Sequence, residues 1–438
     1  MGGREGEVRR SASSIGRRGL DMNRTIHQSV LDLAYWVEAH QYRAYDPGDG
    51  DRSFLTHLTF ESHFLRRLLT GAVLRVPFHI RPWIGIRPHT STKGMGYVAW
   101  GYVKMYKLTG DESYRSRAEH CYDWLISNRS PGWLQYCWGN HFAFSTRAGT
   151  IPRYMPTIVW SSLIGLSFLE AHEVLGTPRY LEVAASVGKW ISTLPREETA
   201  TGACLSYVPF RQSSIHNANM LGGAMLAQVA RYTDDRPAME LARASMAYSC
   251  AAQLGNGAWY YGEESKYHWI DNFHTGYNLD SLKRFIECSG DQEFNPQLRR
   301  GFEYFQQTFF QPDGCPKYYA EKTQPIDIQC AAQAIDTLAY FSDIYPEALL
   351  LAERVARWTI NHMQDRDGHF YYRDLGWKKV KTAMFHWGQG TMLKALANLL
   401  VTIQARTQLS TTHLGREHAP RTCADLLKQE HDRTWRQA

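Results

Sequence analysis

The chain has 438 residues, of which 44% are hydrophobic and 21% charged, enough to bury a sizeable core. Its formal charge is only +6, and no run of Lys and Arg interleaves with aromatics, which argues against a nucleic-acid partner. No apolar run approaches the roughly 18 residues that a membrane crossing needs, so no membrane insertion is expected.

Residues Met1–Asp21 are rich in Gly, Arg and Ser and lack the apolar centre of a signal peptide. They read as a disordered extension, with Met22 a second plausible start and the cytoplasm the expected location. A helix follows near Thr25–Gln41. Residues 51–92 read as an irregular insertion, with an extra helix over Phe54–Thr70 and a Pro-broken flap over Arg75–Thr92 that covers one mouth of the fold.

From there two kinds of helix alternate. Amphipathic helices are predicted over Asp111–Asn128, Thr177–Leu194, Arg236–Leu254, Asn295–Phe310 and Tyr345–Met363. Their starts carry opening residues such as Asp111, or a Pro in the first turn as at Pro178, Pro296 and Pro346. Between them lie helices apolar on most faces, hence buried: Gly94–Tyr106, Pro156–Val174, Ile215–Arg231, His274–Cys288, Ile326–Phe341 and His386–Val401. Each amphipathic helix ends in a turn followed by aromatics, as in Gly-Asn-Gly-Ala-Trp-Tyr-Tyr at Gly255–Tyr261 and Asp-Arg-Asp-Gly-His-Phe-Tyr-Tyr at Asp365–Tyr372. Asp46–Gly50 reads as a weak first copy of this turn.

The buried helices start at regular intervals. Pro156 to His216 is 60 residues, His216 to His274 is 58, His274 to Asp327 is 53, and Asp327 to His386 is 59. A period of this length signals an array of similar units. Twelve helices in six hairpins, the last closed by the N-terminal helix, give an all-α fold, an (α/α)6 toroid over residues 22–403. Short β-turn or strand connections join the hairpins. A polar tail follows at 404–438, with a short helix at Ala424–Gln429. The eight cysteines include no Cys-x-x-Cys pair and read as reduced thiols.

In such a ring the inner helix N-termini meet at one mouth, where free N–H groups and the positive dipole end favour a polar site. The candidates are dense there: His216, Asn217 and Asn219; Trp269, Asp271, Asn272, His274, Tyr277, Asn278 and Asp280; Asp327 and Gln329; His386, Trp387 and Gln389; Arg153; and Lys93. Taken singly, each is better explained as a helix cap. Their recurrence at equivalent places favours a shared site. His274, Tyr277 and Asn278 share one helix face at i, i+3 and i+4. A His and a Tyr can move a proton as base and acid, with Asn278 and His216 orienting a carboxylate, the kit for uronate epimerisation or β-elimination. Asp271 and Asp327 form the alternative kit for glycoside hydrolysis. His216, His274 and His386 could converge on a zinc, but no His-x-x-x-His pair is present and no metal is expected. No phosphate loop or nucleophile elbow appears, so no cofactor is expected. The 13% aromatic content suits sugar stacking, here by Trp259, Tyr260, Trp269 and Trp387, and equally suits packing between helices.

The six-hairpin layout, the Asp-Gly-x-x-Tyr-like turns and the block Trp-Ile-Asp-Asn-Phe-His-Thr-Gly-Tyr-Asn-Leu-Asp at Trp269–Asp280 resemble the six-hairpin glycosidase-like superfamily. The resemblance covers roughly Thr25–Ile403. It is nearest to bacterial toroid proteins linked to exopolysaccharide biosynthesis and more distant to glucuronyl C5-epimerases. It implies a poly- or oligosaccharide in the funnel and points to Asp271, His274, Tyr277, Asn278 and Asp327. The expected function is a carbohydrate-active enzyme of epimerase or lyase type. A hydrolase and a non-catalytic glycan-binding scaffold are the rivals.

Overall fold

The computed structural model describes residues 25–76, 78–146 and 149–417. The expected extension Met1–Asp21 and the expected helix Ala424–Gln429 lie outside the described residues.

Six inner helices form a closed ring: α3 (Thr92–Thr109), α5 (Ile158–Leu175), α7 (His216–Thr233), α9 (Asn272–Ser289), α11 (Ile328–Tyr340) and α13 (Gly390–Glu417). Each packs on the next, and α13 packs back on α3. The outer layer is α4 (Glu112–Ser127), α6 (Pro178–Ser192), α8 (Arg236–Ala251), α10 (Asn295–Thr308), α12 (Pro346–Met363) and α1, residues 25–39. The fold is thus the (α/α)6 toroid, with three small antiparallel sheets in the connections.

Local chemistry fixes the helix ends. Ser91, Thr157, Asp271 and Asp327 accept backbone N–H bonds at the starts of α3, α5, α9 and α11. Gly110, Gly176 and Gly290 end inner helices in the left-handed conformation.

The repeated turns tie one hairpin to the next. The turns after α6, α8, α10 and α12 press Gly202, Gly257, Gly314 and Gly368 onto the backbones of α8, α10, α12 and α1. A Cβ at Gly257 would stand 2.3 Å from the Arg300 carbonyl oxygen, and one at Gly368 2.4 Å from that of Asp32. Tryptophans of the receiving helices reinforce the joint. Trp358 donates to Asp313 and Trp36 to Asp367, each at 3.1 Å. The Gly368 contact closes the outer layer between the two ends of the chain.

Three expectations need correction. The extra helix begins later than predicted. Phe54–Thr59 is a 3₁₀ segment that stops where Phe60 turns left-handed, and α2 (His63–Arg75) starts after its Ser62 cap. The segment Asp46–Gly50 is not a copy of the repeat turn; bridges from Ala44 to His89 and from Tyr45 to Met384 hold it against the ring. An apolar stretch of membrane-crossing length does exist. Ile158–Leu175 has the length and composition, and it is α5, whose neighbours in the ring cover it. In addition, α13 continues through residues 404–417, where a tail was expected.

Candidate active site

A cavity of about 420 Å³ opens where the inner helices begin. Its wall takes Lys93 from α3, Trp160 from α5, Asn217 from α7, Asp271, Phe273, His274 and Tyr277 from the start of α9, and His386 and Trp387 from the turn before α13. Tyr318 and Tyr319 come from the turn ahead of α11. The wall is therefore mostly aromatic with a few converging polar groups, the usual build of a small-ligand site.

Two histidines in this wall are each backed by a buried aspartate. Asp271 caps α9 by accepting from the His274 backbone N–H at 3.0 Å. Its other oxygen takes the His274 Nδ1 proton at 2.7 Å and the Trp269 indole N–H at 3.1 Å. A carboxylate can only accept, so Nδ1 carries the proton and Nε2 is left to act as a base toward the cavity. Asp271's side chain is 1% exposed and His274's 19%, so the aspartate supports and the histidine presents.

The second pair arises from residues 340 apart. His386 sits in a single π-helical turn, Phe385–Gln389. Such turns widen the backbone and are frequent at functional sites. Its backbone N–H donates to Asp46 Oδ1 at 2.9 Å, and its Nδ1 lies 2.8 Å from the same oxygen. His89 Nε2 stands 3.3 Å from Asp46 Oδ2. Arg52 donates to His89 Nδ1, which leaves the His89 proton on Nε2, facing Asp46. Burial would push the Asp46 carboxyl up, but His386 and His89 together hold it below the usual carboxylate range. Burial also lowers the proton affinity of His386, with Asp46 opposing.

Lys93 completes the polar set. It is 6% exposed, and its ammonium faces the rings of Tyr97 and Tyr277 at 5.7 and 5.9 Å. Burial brings its pKa down to about 8, against the pull of Asp46. A buried cation whose near neighbours are aromatic faces has a strong demand for an anion.

The other candidates fall into three groups. Asn217, Trp269 and Trp387 line the cavity with Asp271, His274, Tyr277 and His386. Tyr277's hydroxyl is engaged with Tyr97 at 2.8 Å and Gln329 at 2.9 Å, and burial pushes the phenol up. It is a fixed hydrogen-bonding group. Asn278 and Gln329 are buried close to the cavity wall but do not line it.

The third group is held elsewhere. Asp327 is fully buried, caps α11, pairs with Arg373 and accepts the Trp387 indole at 2.8 Å. It positions Trp387 and does not face the cavity. His216 is taken up by Ser249 and Glu263 behind the wall. Gln389 ties the Phe370 backbone at 2.8 Å in both directions. Trp259 is core, donating to the Ser249 carbonyl, and Tyr260 stacks on His268 at 4.3 Å. Arg153 is an exposed neighbour of Tyr154. Asp280 faces a separate cavity of about 190 Å³ beyond Tyr277, where burial and the Asp336 charge push it up to about 7.

Sequence reasoning passed over Asp46, His89 and the aromatic wall of Phe144, Trp160, Tyr318 and Tyr319. Asp46 was hidden by its likeness to a repeat turn. The Ala44–His89 and Tyr45–Met384 bridges bring it beneath His386.

No family model and no curated protein matches the chain. Solved structures do share its architecture. A family 76 glycoside hydrolase (mannosidase) from Bacteroides thetaiotaomicron superposes with a TM-score of 0.60 at 12% identity, over 88% of this chain and 100% of its own. An unsaturated glucuronyl hydrolase specific for heparin gives 0.59 at 11%, over 88% and 98%. A cellobiose 2-epimerase from Bacillus thermoamylovorans gives 0.56 at 12%, over 72% and 88%. What they share with this chain is the (α/α)6 toroid. At these identities the likeness is one of scaffold, and function must be argued from the site.

Proposed function

We propose that this protein is a carbohydrate epimerase that inverts the carbon beside a sugar carboxylate. The observation that carries the reading is the pair of His–Asp dyads, His274–Asp271 and His386–Asp46, presented by two different helix starts to one cavity. Inversion by proton transfer needs a base on one face of the carbon and an acid on the other. The neutral histidine takes the proton, and the C–H electron pair moves into the adjacent carboxylate to give an enediolate. The other histidine, protonated from the start, delivers its own proton to the opposite face, so the two exchange protonation states. The roles are exchanged for the reverse reaction, and no redox partner is required.

Lys93 supports the choice of an acidic sugar. An ammonium beside the carboxylate would stabilise the extra charge of the enediolate in a water-poor site. The aromatic wall, with Trp269 and Trp387, suits stacking on sugar faces. The hydrolase alternative has less support, because Asp271 and Asp327 each hold three hydrogen-bond donors and neither is positioned to give a proton to a leaving group. Carbohydrate enzymes among the structural neighbours are consistent with a saccharide substrate, and a role in cell-surface polysaccharide metabolism fits an acidic polymer.

The test is a comparison of uronate-containing and neutral oligosaccharides as substrates for wild type and Lys93→Met. Turnover confined to the acidic sugars is expected, with kcat/KM lowered about 100-fold in the variant. The Lys93 ammonium is charged below its pKa and neutral above it, so wild-type kcat/KM should fall as pH rises through about 8. The variant should lose that alkaline limb. Equal turnover of neutral sugars would overturn the acidic-substrate assignment.

A further inference from the structure

The insertion that precedes α3 presents an apolar surface with no partner in the toroid. Of the fourteen exposed large apolar side chains among the described residues, eight lie between Phe54 and Trp83. Phe60 and Trp83 are 85% and 84% exposed, and Phe64 is 66% exposed. Such concentration in a short segment marks an interaction site, since scattered single residues are the ordinary case. Phe64 and Leu68 stand one turn apart on α2 and share its outward face, while Thr70 and Val73 turn inward. Val73, Ile84 and Ile86 form a small core beneath, and the buried Arg81–Asp49 pair at 2.9 Å ties the insertion to the segment that carries Asp46. The surface is thus held rigidly.

Its charge is one-sided. The sequence of α2 carries His63, Arg66, Arg67 and Arg75 and no acid. Across residues 54–83 the single acid is Glu61. A short helix with aromatic and Leu residues on one face and Arg alongside is the pattern of an interfacial anchor on an anionic bilayer. A second copy of the chain fits less well, because a two-fold contact would bring the two sets of arginines together.

We infer that the exposed face of residues 54–83 docks on an anionic lipid surface. The insertion adjoins Phe144 and Gly48, which lie on the cavity wall, so docking would set the cavity beside the membrane. Aromatic side chains enter the headgroup region and the arginines pair with lipid phosphates; no helix crosses the bilayer.

The experiment is co-sedimentation of the full chain with phosphatidylcholine vesicles, with and without phosphatidylglycerol. Binding is expected on the anionic vesicles at least about ten-fold above the neutral ones, weakening as salt is raised. Phe64→Ser/Leu68→Ser and Arg67→Glu should each reduce it several-fold while leaving the melting temperature in place, since all three side chains are exposed. Equal sedimentation by wild type and the double variant, or no sedimentation, would overturn the inference. So would a concentration-dependent dimer that the double variant dissolves. Because these residues lie outside the candidate active site, failure here leaves the epimerase reading standing, and failure of that reading leaves this one.

Discussion

A His386→Gln enzyme is expected to stop interconverting epimers while still exchanging one epimer's C–H proton with solvent. His274 retains its Asp271 partner and its cavity-facing Nε2, so it can still remove and return a proton on its own face. Delivery to the opposite face is lost, and inversion should fall by about 10³-fold, within the range for loss of a positioned acid or base. The reciprocal variant, His274→Gln, should exchange only the other epimer. Asp46→Asn should act through His386. It removes the carboxylate charge 2.8 Å from His386 Nδ1, which favours the protonated imidazole, and inversion should fall by about 10- to 100-fold. Proton NMR in heavy water reads both quantities at once. Exchange of both epimers by either single variant would mean that one base serves both faces.

The largest effect on stability is expected at a glycine far from the cavity. Gly368 has φ near +101°, a conformation that L side chains rarely adopt, and its missing Cβ makes room for the Asp32 carbonyl of α1. Gly368→Ala adds backbone strain of about 1–3 kcal/mol and overpacking of similar size. The strain falls on the joint that seals the outer layer between α12 and α1, which Trp36 donating to Asp367 and Ser29 donating to Gln364 at 2.8 Å also hold. A melting temperature lower by about 10 °C is expected, by calorimetry or circular dichroism. Gly132→Ala is the control. It also has positive φ, at +81°, but an added Cβ meets nothing within 4 Å. Its loss should be limited to the backbone term. Equal destabilisation by the two would remove close docking as the reason for the repeated turn.

Most of the fold was legible because the signal is periodic and local. The spacing of His216, His274, Asp327 and His386 marks where inner helices begin, since each opens a new turn of a repeating unit. Asp271 and Asp327 were readable as caps for the same reason, and the structure uses both in that way. Four of the repeat glycines, Gly202, Gly257, Gly314 and Gly368, carried a meaning that sequence alone did not disclose: each makes room for the backbone of the next outer helix.

The site was legible only in part. His274 and Asp271 are three residues apart and meet through helix geometry alone. His386 and Asp46 meet only after the ring has closed, so no local pattern announces them. Equivalent positions also mislead. Asp327 occupies the same cap position as Asp271, yet it holds an arginine and a tryptophan rather than a cavity-facing histidine. Trp259 and Tyr260 follow a repeat turn whose next ring, Tyr261, lines the cavity, but Trp259 is buried in the core and Tyr260 stacks on His268. In the insertion the helix boundary shifted because the segment capped by Ser53 is a 3₁₀ turn that ends at left-handed Phe60, and the α-helix starts anew after Ser62.

The most direct test of two-base inversion is the fate of solvent deuterium in the first turnovers of the wild-type enzyme. A purified single epimer of a uronate oligosaccharide is incubated in heavy water and followed by proton NMR before equilibrium is reached. The two-dyad site predicts product with deuterium at the inverted carbon while unreacted substrate keeps its proton. New reducing ends without deuterium would mean hydrolysis, and an unsaturated terminal sugar would mean elimination; either would contradict the assignment of His274 and His386 as paired proton carriers.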